Sequence, residues 1–141
     1  MAVVSDGTYS IHFTNDQLLT ALEGRPGAHV VLLPPTGQPG TQQWQVKGTG
    51  NGDGEYSIRN VASDLYLSFD GDPDMHELAL LQPEPRSWVL FPGAEPDTFV
   101  LGVPGAPMRL GLSLLRIFPP RVALAPEYGY EYQAWTFRKT A

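Results

Sequence analysis

With 141 residues the chain is the size of one domain, able to bury roughly 68% of its unfolded surface and so to build an apolar core without staples. It has no cysteine, which excludes disulfides and thiolate metal sites and suits a reducing compartment. A net charge of −6, with nine scattered Lys and Arg, excludes a nucleic-acid surface, because phosphate contacts need clustered cations.

The elements follow in chain order. Tyr9, Ile11 and Phe13 alternate with polar residues, which places one face of a strand on a core. A second strand is expected at 18–22, although Leu18-Leu19-Thr20-Ala21-Leu22 taken alone also suits a helical turn. Val30 and Leu32 mark a third strand, and Trp44 and Val46 a fourth. The order then starts again. Tyr56 and Ile58 open a second unit, 65–69 follows, Leu78 and Leu80 mark the third strand, and Trp88 and Leu90 the fourth. Phe99, Leu101 and Val103 open a third unit, followed by 108–112, by Val122 and Leu124, and by Trp135 and Phe137. The counterparts of 18–22 alternate like strands, and that settles its reading.

The three tryptophans are the only ones in the chain, and they stand 44 and 47 residues apart. Self-similarity at such a period means one structural unit used three times. The units span roughly 6–50, 51–95 and 96–141, within a single domain covering 1–141. The 15 Gly and 14 Pro fall between the apolar runs, as turns between short strands require, and not as a disordered block. Four strands cannot bury their own face, so the units must share a centre, and closure into a barrel removes exposed edges. Twelve short strands in three like units resemble a β-trefoil, which implies an all-β fold with pseudo-threefold symmetry. Equivalent tryptophans imply equivalent core plugs.

Chemistry is sparse. There is no Gly-x-Ser-x-Gly elbow, phosphate loop or paired-carboxylate motif, so an enzyme or a cofactor is not expected. Asp70-Gly71-Asp72-Pro73-Asp74 begins like a calcium loop, but Met75 stands in place of the sharp-turn glycine and Leu81 in place of the bidentate glutamate. A solvated turn is the better reading, and no metal is expected. His12, His29 and His76 have no partner at metal-ligand spacing, and His12 and His29 are expected to face solvent. No run approaches the roughly 18 apolar residues of a membrane span. The opening Met1-Ala2-Val3-Val4-Ser5-Asp6-Gly7 lacks the basic and long apolar segments of a signal peptide. A monomeric cytoplasmic protein with no membrane partner is the expectation.

Loops on a rigid barrel usually carry function. The candidates lie at 23–28, 34–41, 70–76, 113–120 and 126–132. Arginines stand at 25, 86 and 116, and Arg116 lies among Leu114, Leu115, Ile117 and Phe118, an unusually apolar company for a loop.

Asp6-Gly7-Thr8-Tyr9-Ser10-Ile11-His12, His29-Val30-Val31-Leu32-Leu33-Pro34-Pro35 leading to Gln43-Trp44, Glu55-Tyr56-Ser57-Ile58 and Ala134-Trp135-Thr136-Phe137 resemble the mushroom β-trefoil protease inhibitors. The likeness spans the whole chain. It is nearest to the cospin-like serine protease inhibitors and more distant to the mycocypins, which inhibit papain-like cysteine proteases. It implies a fungal defence protein that inhibits a trypsin-like serine protease by inserting a surface loop. The implied loop is Glu23, Gly24, Arg25, Pro26, Gly27 and Ala28, with Arg25 in the specificity pocket and Arg116 in reserve. Two glycines make this loop flexible, and Pro26 departs from the family pattern. Lacking an N–H, Pro26 makes either a plug that resists cleavage or a poorer fit. The mycocypin likeness points to Gly37 and Gly40 against papain-like enzymes, and to Asn60 against asparaginyl endopeptidases. The alternative function is a glycan-binding lectin. Gln42-x-Trp44 and Gln133-x-Trp135 match the Gln-x-Trp motif of ricin-type lectins, Arg86-Ser87-Trp88 departs from it, and Tyr128, Tyr130 and Tyr132 are the candidate stacking residues.

Overall fold

The computed structural model describes residues 4–50, 54–127 and 134–140, and among these the regular structure is all β. The first four strands are β1 (Gly7–Thr14), β2 (Gln17–Thr20), β3 (Val31–Leu33) and β4 (Trp44–Gly48). Next come β5 (Glu55–Asn60), β6 (Tyr66–Phe69), β7 (Ala79–Gln82) and β8 (Trp88–Pro92). The last four are β9 (Thr98–Gly102), β10 (Met108–Leu112), β11 (Val122–Pro126) and β12 (Trp135–Lys139). The alternation of apolar residues therefore becomes strand where it was expected, including at β2.

Six strands close a ring. β1 pairs with β4, β4 with β5, β5 with β8, β8 with β9, β9 with β12, and β12 returns to β1, all antiparallel. The other six form the hairpins β2–β3, β6–β7 and β10–β11. Single bridges link the hairpins to one another in a second ring: His29 to Leu80, Leu78 to Ala123, and Val31 to Arg121. A closed barrel capped by three mutually paired hairpins is the β-trefoil.

Trp44, Trp88 and Trp135 each have 0% exposure. Their indole N–H groups donate to the main-chain carbonyls of Leu19, Leu67 and Leu110 at 2.9, 2.9 and 3.1 Å. One ring thus fills the core and ties the fourth strand of each unit to its second. Burying each side chain contributes on the order of 5 kcal/mol by area. Ile11, Ile58, Leu67, Leu81, Leu101 and Leu110 are among the fully buried side chains around them.

Two expectations change here. His12 does not face solvent; it is 7% exposed, with Nε2 hydrogen-bonded to the Ser10 hydroxyl at 2.8 Å. Strict alternation fails in β1: Ile11 and His12 are adjacent and both buried, and the pairing with β2 shifts register between His12 and Thr14. Arg86 is not a free loop arginine. Its guanidinium carbon lies 3.8 Å from the Phe69 ring centroid, and Nε and Nη2 donate to Ser68 Oγ and the Phe69 carbonyl at 2.9 and 3.1 Å.

Candidate functional site

The hairpin turns are the natural place for a site, because the bridges between hairpins gather them at one end of the barrel. The turn at 21–30 contains the predicted inhibitory loop. Glu23, Gly24, Arg25, Pro26 and Gly27 are exposed, and Ala28 is buried. Arg25 Nη2 pairs with Glu23 Oε1 at 2.8 Å, with both side chains exposed. This loop is less flexible than its glycines suggest. Gly27 N–H donates to the Leu81 carbonyl at 2.7 Å, Leu81 N–H donates to the Ala28 carbonyl at 2.9 Å, and Ala28 N–H closes a turn onto the Arg25 carbonyl at 3.1 Å. Gly27 holds φ +82°, a conformation that suits glycine.

Arg116 is exposed on the turn at 113–121, which closes through Ser113 N–H to the Arg121 carbonyl at 2.8 Å. The structure brings the two arginine loops side by side. Leu22, Glu23 and His29 share a small cavity of about 150 Å³ with Ile117, Phe118 and Arg121. Partial burial, then the positive charge of Arg121, lower the His29 pKa, partly offset by Glu23.

The residues assigned to cysteine-protease contacts fare differently. Asn60 is a structural hub, not a surface contact: it has 0% exposure. Its Nδ2 faces the carbonyls of Gly40, Thr41 and Gln43 at 3.2, 3.2 and 3.3 Å. Its Oδ1 accepts from the Ser63 N–H and hydroxyl at 3.1 and 3.0 Å. Gly40 is buried at φ +78°, and a Cβ there would lie 3.0 Å from Ala62 N, so backbone packing requires its glycine. Gly37 alone of the three stands exposed, also at positive φ, with open space where a side chain would be. Tyr128, Tyr130 and Tyr132 lie outside the described residues. Among the described residues no group of three or more His, Cys, Asp and Glu is disposed to hold a metal.

Sequence reasoning missed a cleft on the second unit. The end of β6 and the segment between β7 and β8 enclose an open space of about 520 Å³, lined by Ser68, Asp70, Gln82, Glu84, Arg86 and Ser87 among others. That volume lies within the range of small-molecule sites. Gln82 Nε2 donates to Asp70 Oδ1 at 3.0 Å, which fixes both side chains at the rim. Arg86, stacked on buried Phe69, forms the floor. The signal was present. Arg86 takes the place that Gln42 holds two residues before the first tryptophan. Gln42 Nε2 donates to the Thr20 hydroxyl at 3.1 Å, much as Arg86 Nε donates to the Ser68 hydroxyl. The motif departure marks the unit whose surface has diverged.

No family model matches the chain, and no curated protein matches it significantly. Solved structures do. The ricin B-like lectin of Macrolepiota procera, in a complex with lactose, superposes with a TM-score of 0.81 at 23% identity over 99% of this chain and 100% of that one. The Rhizoctonia solani agglutinin gives 0.82 at 17% identity over 99% of each chain. The designed threefold-symmetric protein ThreeFoil gives 0.81 at 17% identity over 96% of this chain and 100% of its own. Likeness at this level establishes the β-trefoil fold.

Proposed function

We propose that the protein is a carbohydrate-binding β-trefoil that takes a sugar in the cleft of its second unit. One observation carries this reading: a carboxylate, an amide, a guanidinium and hydroxyls converge on one open, mostly polar cleft at Ser68, Asp70, Gln82, Arg86 and Ser87. Sugar hydroxyls are paired donors and acceptors, and such a set answers both. Asp70 and Glu84 accept, Arg86 and Ser87 donate, and Gln82 does either. The lactose-bound neighbour supports the reading by its fold. Phe69, the aromatic ring of the cleft, is covered by Arg86, so recognition rests on hydrogen bonds and affinity is modest, on the order of millimolar, or about −4 kcal/mol. A glycan array followed by calorimetry on the array's best sugar tests this. Asp70→Ala and Gln82→Ala each lower affinity about tenfold or more, as loss of a hydrogen bond at a charged group requires. An array with no binder, or variants that bind as the parent does, overturns it.

A second reading is loop insertion into a trypsin-like serine protease by Arg25. The clamp of Gly27 and Ala28 onto Leu81 favours it, because a loop already held loses less entropy on docking. The Glu23 pair must open first. Titration of trypsin, chymotrypsin, papain and an asparaginyl endopeptidase decides between targets. Inhibition of trypsin that Arg25→Ala abolishes supports this reading, and inhibition unchanged in that variant removes Arg25 from it.

A further inference from the structure

Arg86 carries more than the fold asks of its position. Two residues before the tryptophan, the first and third units have Gln42 and Gln133. Gln42 shows what the barrel needs there. Its Nε2 donates to the Thr20 hydroxyl and the Pro34 carbonyl at 3.1 and 2.9 Å, and its Oε1 accepts from Thr36 N–H at 3.0 Å. A neutral amide thus ties the segment before β4 back to β2. Arg86 makes the matching tie to the Ser68 hydroxyl and the Phe69 carbonyl. Its positive charge is not required for that task.

That charge has no counter-ion among the described residues. Arg25, Arg59 and Arg109 each pair with a carboxylate, at 2.8, 3.0 and 3.1 Å. Arg86 makes no such pair, although Asp70 and Glu84 line the same cleft; Asp70 is engaged by Gln82 instead. Nε and Nη2 of Arg86 are held, the Phe69 ring lies 3.8 Å from the guanidinium carbon, and Nη1 has no acceptor among the described residues. The side chain is half-buried, so water screens its charge less than it screens the exposed carboxylates of Asp70 and Glu84. A guanidinium held by a ring and two hydrogen bonds, with one nitrogen unengaged, is a preorganised partner for an oxyanion. Resting on the sugar reading of this cleft, we propose that its preferred ligand is a sugar that carries a carboxylate, which bonds to Arg86 while the sugar hydroxyls meet Asp70, Gln82 and Ser87. Arg86 then sets the specificity of the site, and the second unit departs from the other two where its ligand departs from a neutral sugar. Asp70 and Glu84 oppose the ligand's charge, and their exposure limits that cost. They also fix the pose, because a sugar turned over would set its own carboxylate against theirs.

Matched pairs of neutral and acidic sugars test this, titrated by calorimetry into the full chain at fixed ionic strength. The pairs are methyl galactoside with methyl galacturonide, methyl glucoside with methyl glucuronide, and lactose with sialyllactose. At least one acid binds about fivefold or more tighter than its neutral partner, as exchange of a neutral hydrogen bond for a charge-assisted one requires. The pair that shows the margin identifies the kind of sugar acid. Raising NaCl from about 50 mM to about 500 mM shrinks the margin, because salt screens the charge. Arg86→Gln, which installs the residue the other units use, stays folded by circular dichroism and Tm and abolishes the margin. Arg86→Lys keeps the charge without the planar fork and retains a salt-sensitive part of it, so the charge is tested in a second variant as well. Neutral partners bound as tightly as the acids, or a preference that Arg86→Gln leaves intact, overturns the proposal while the sugar reading stands. No binding of any sugar, in these pairs or on the array, overturns the sugar reading and this proposal with it.

Discussion

Replacing Asn60 with alanine separates a structural hub from an inhibitory contact. Asn60 Nδ2 offers two hydrogens to three carbonyls, and Oδ1 accepts from Ser63 N–H and Oγ. Truncation removes this set inside a site with 0% exposure, where water does not replace it. At about 1 kcal/mol net for each of three well-placed bonds, the loss is about 3 kcal/mol. With an unfolding entropy of about 2.1 cal/mol/K per residue over this chain, that lowers Tm by about 10 °C. Asp in place of Asn is worse, since a carboxylate oxygen then faces the carbonyls of Gly40, Thr41 and Gln43. Thermal unfolding followed by tryptophan fluorescence reads the effect, with urea titration to check that the m-value holds. If Asn60→Ala melts within about 2 °C of the parent, a small fraction of that expected shift, the buried network carries little and the reasoning fails. Unchanged stability together with lost inhibition of an asparaginyl endopeptidase would return Asn60 to the surface role it was first assigned.

Two further outcomes follow from the same packing. Trp88→Phe leaves the Leu67 carbonyl without its indole donor and opens space beside Phe69, so it costs about 2–3 kcal/mol. The same change at Trp44 or Trp135 costs a comparable amount, since their indoles meet Leu19 and Leu110 in the same way, and denaturant unfolding of the three variants checks the equivalence. Acid weakens the fold through its histidines. Burial, then the Arg138 charge, lower the His12 pKa below the usual 6.5, and burial with Arg121 lowers that of His29. The unfolded chain therefore binds more protons just below pH 6.5, so this contribution is intact above that pH and is lost as pH falls toward the depressed folded values. His12→Gln flattens the fall in Tm between neutral and mildly acid pH, and an identical pH profile in that variant refutes the assignment.

The fold was legible because threefold repetition leaves its mark three times. A weak strand such as β2 is read through Tyr66–Phe69 and Met108–Leu112, and each tryptophan confirms the other two. Residues with no counterpart were harder to read. Asn60 looks like any turn asparagine, and nothing local reports that the 40–43 segment folds over it 17 to 20 residues away. Period two assigned His12 to solvent, but the pairing of β1 with β2 is irregular between His12 and Thr14, and Ile11 and His12 are both buried. Arg25 and Arg116 were each legible as exposed loop cations, yet the adjacency of their two turns depends on the closing bridge between Val31 and Arg121, a pairing 90 residues apart that no local pattern encodes.

The divergence of the units is itself informative. Where a side chain serves the barrel, the three units keep one solution: an indole donating to a leucine carbonyl. Where it serves the surface, they part. The turns after the second strands have become an ion-paired clamp, an acidic lobe and an apolar tip, and the position two residues before the tryptophan is glutamine in the first and third units and arginine in the second. A scaffold stabilised by its shared core tolerates such loop variation at little cost in stability. The asymmetry is therefore free to encode recognition. The open cleft lined by Ser68, Asp70, Gln82 and Arg86 lies in the second unit, the one in which the position two residues before the tryptophan departs from glutamine.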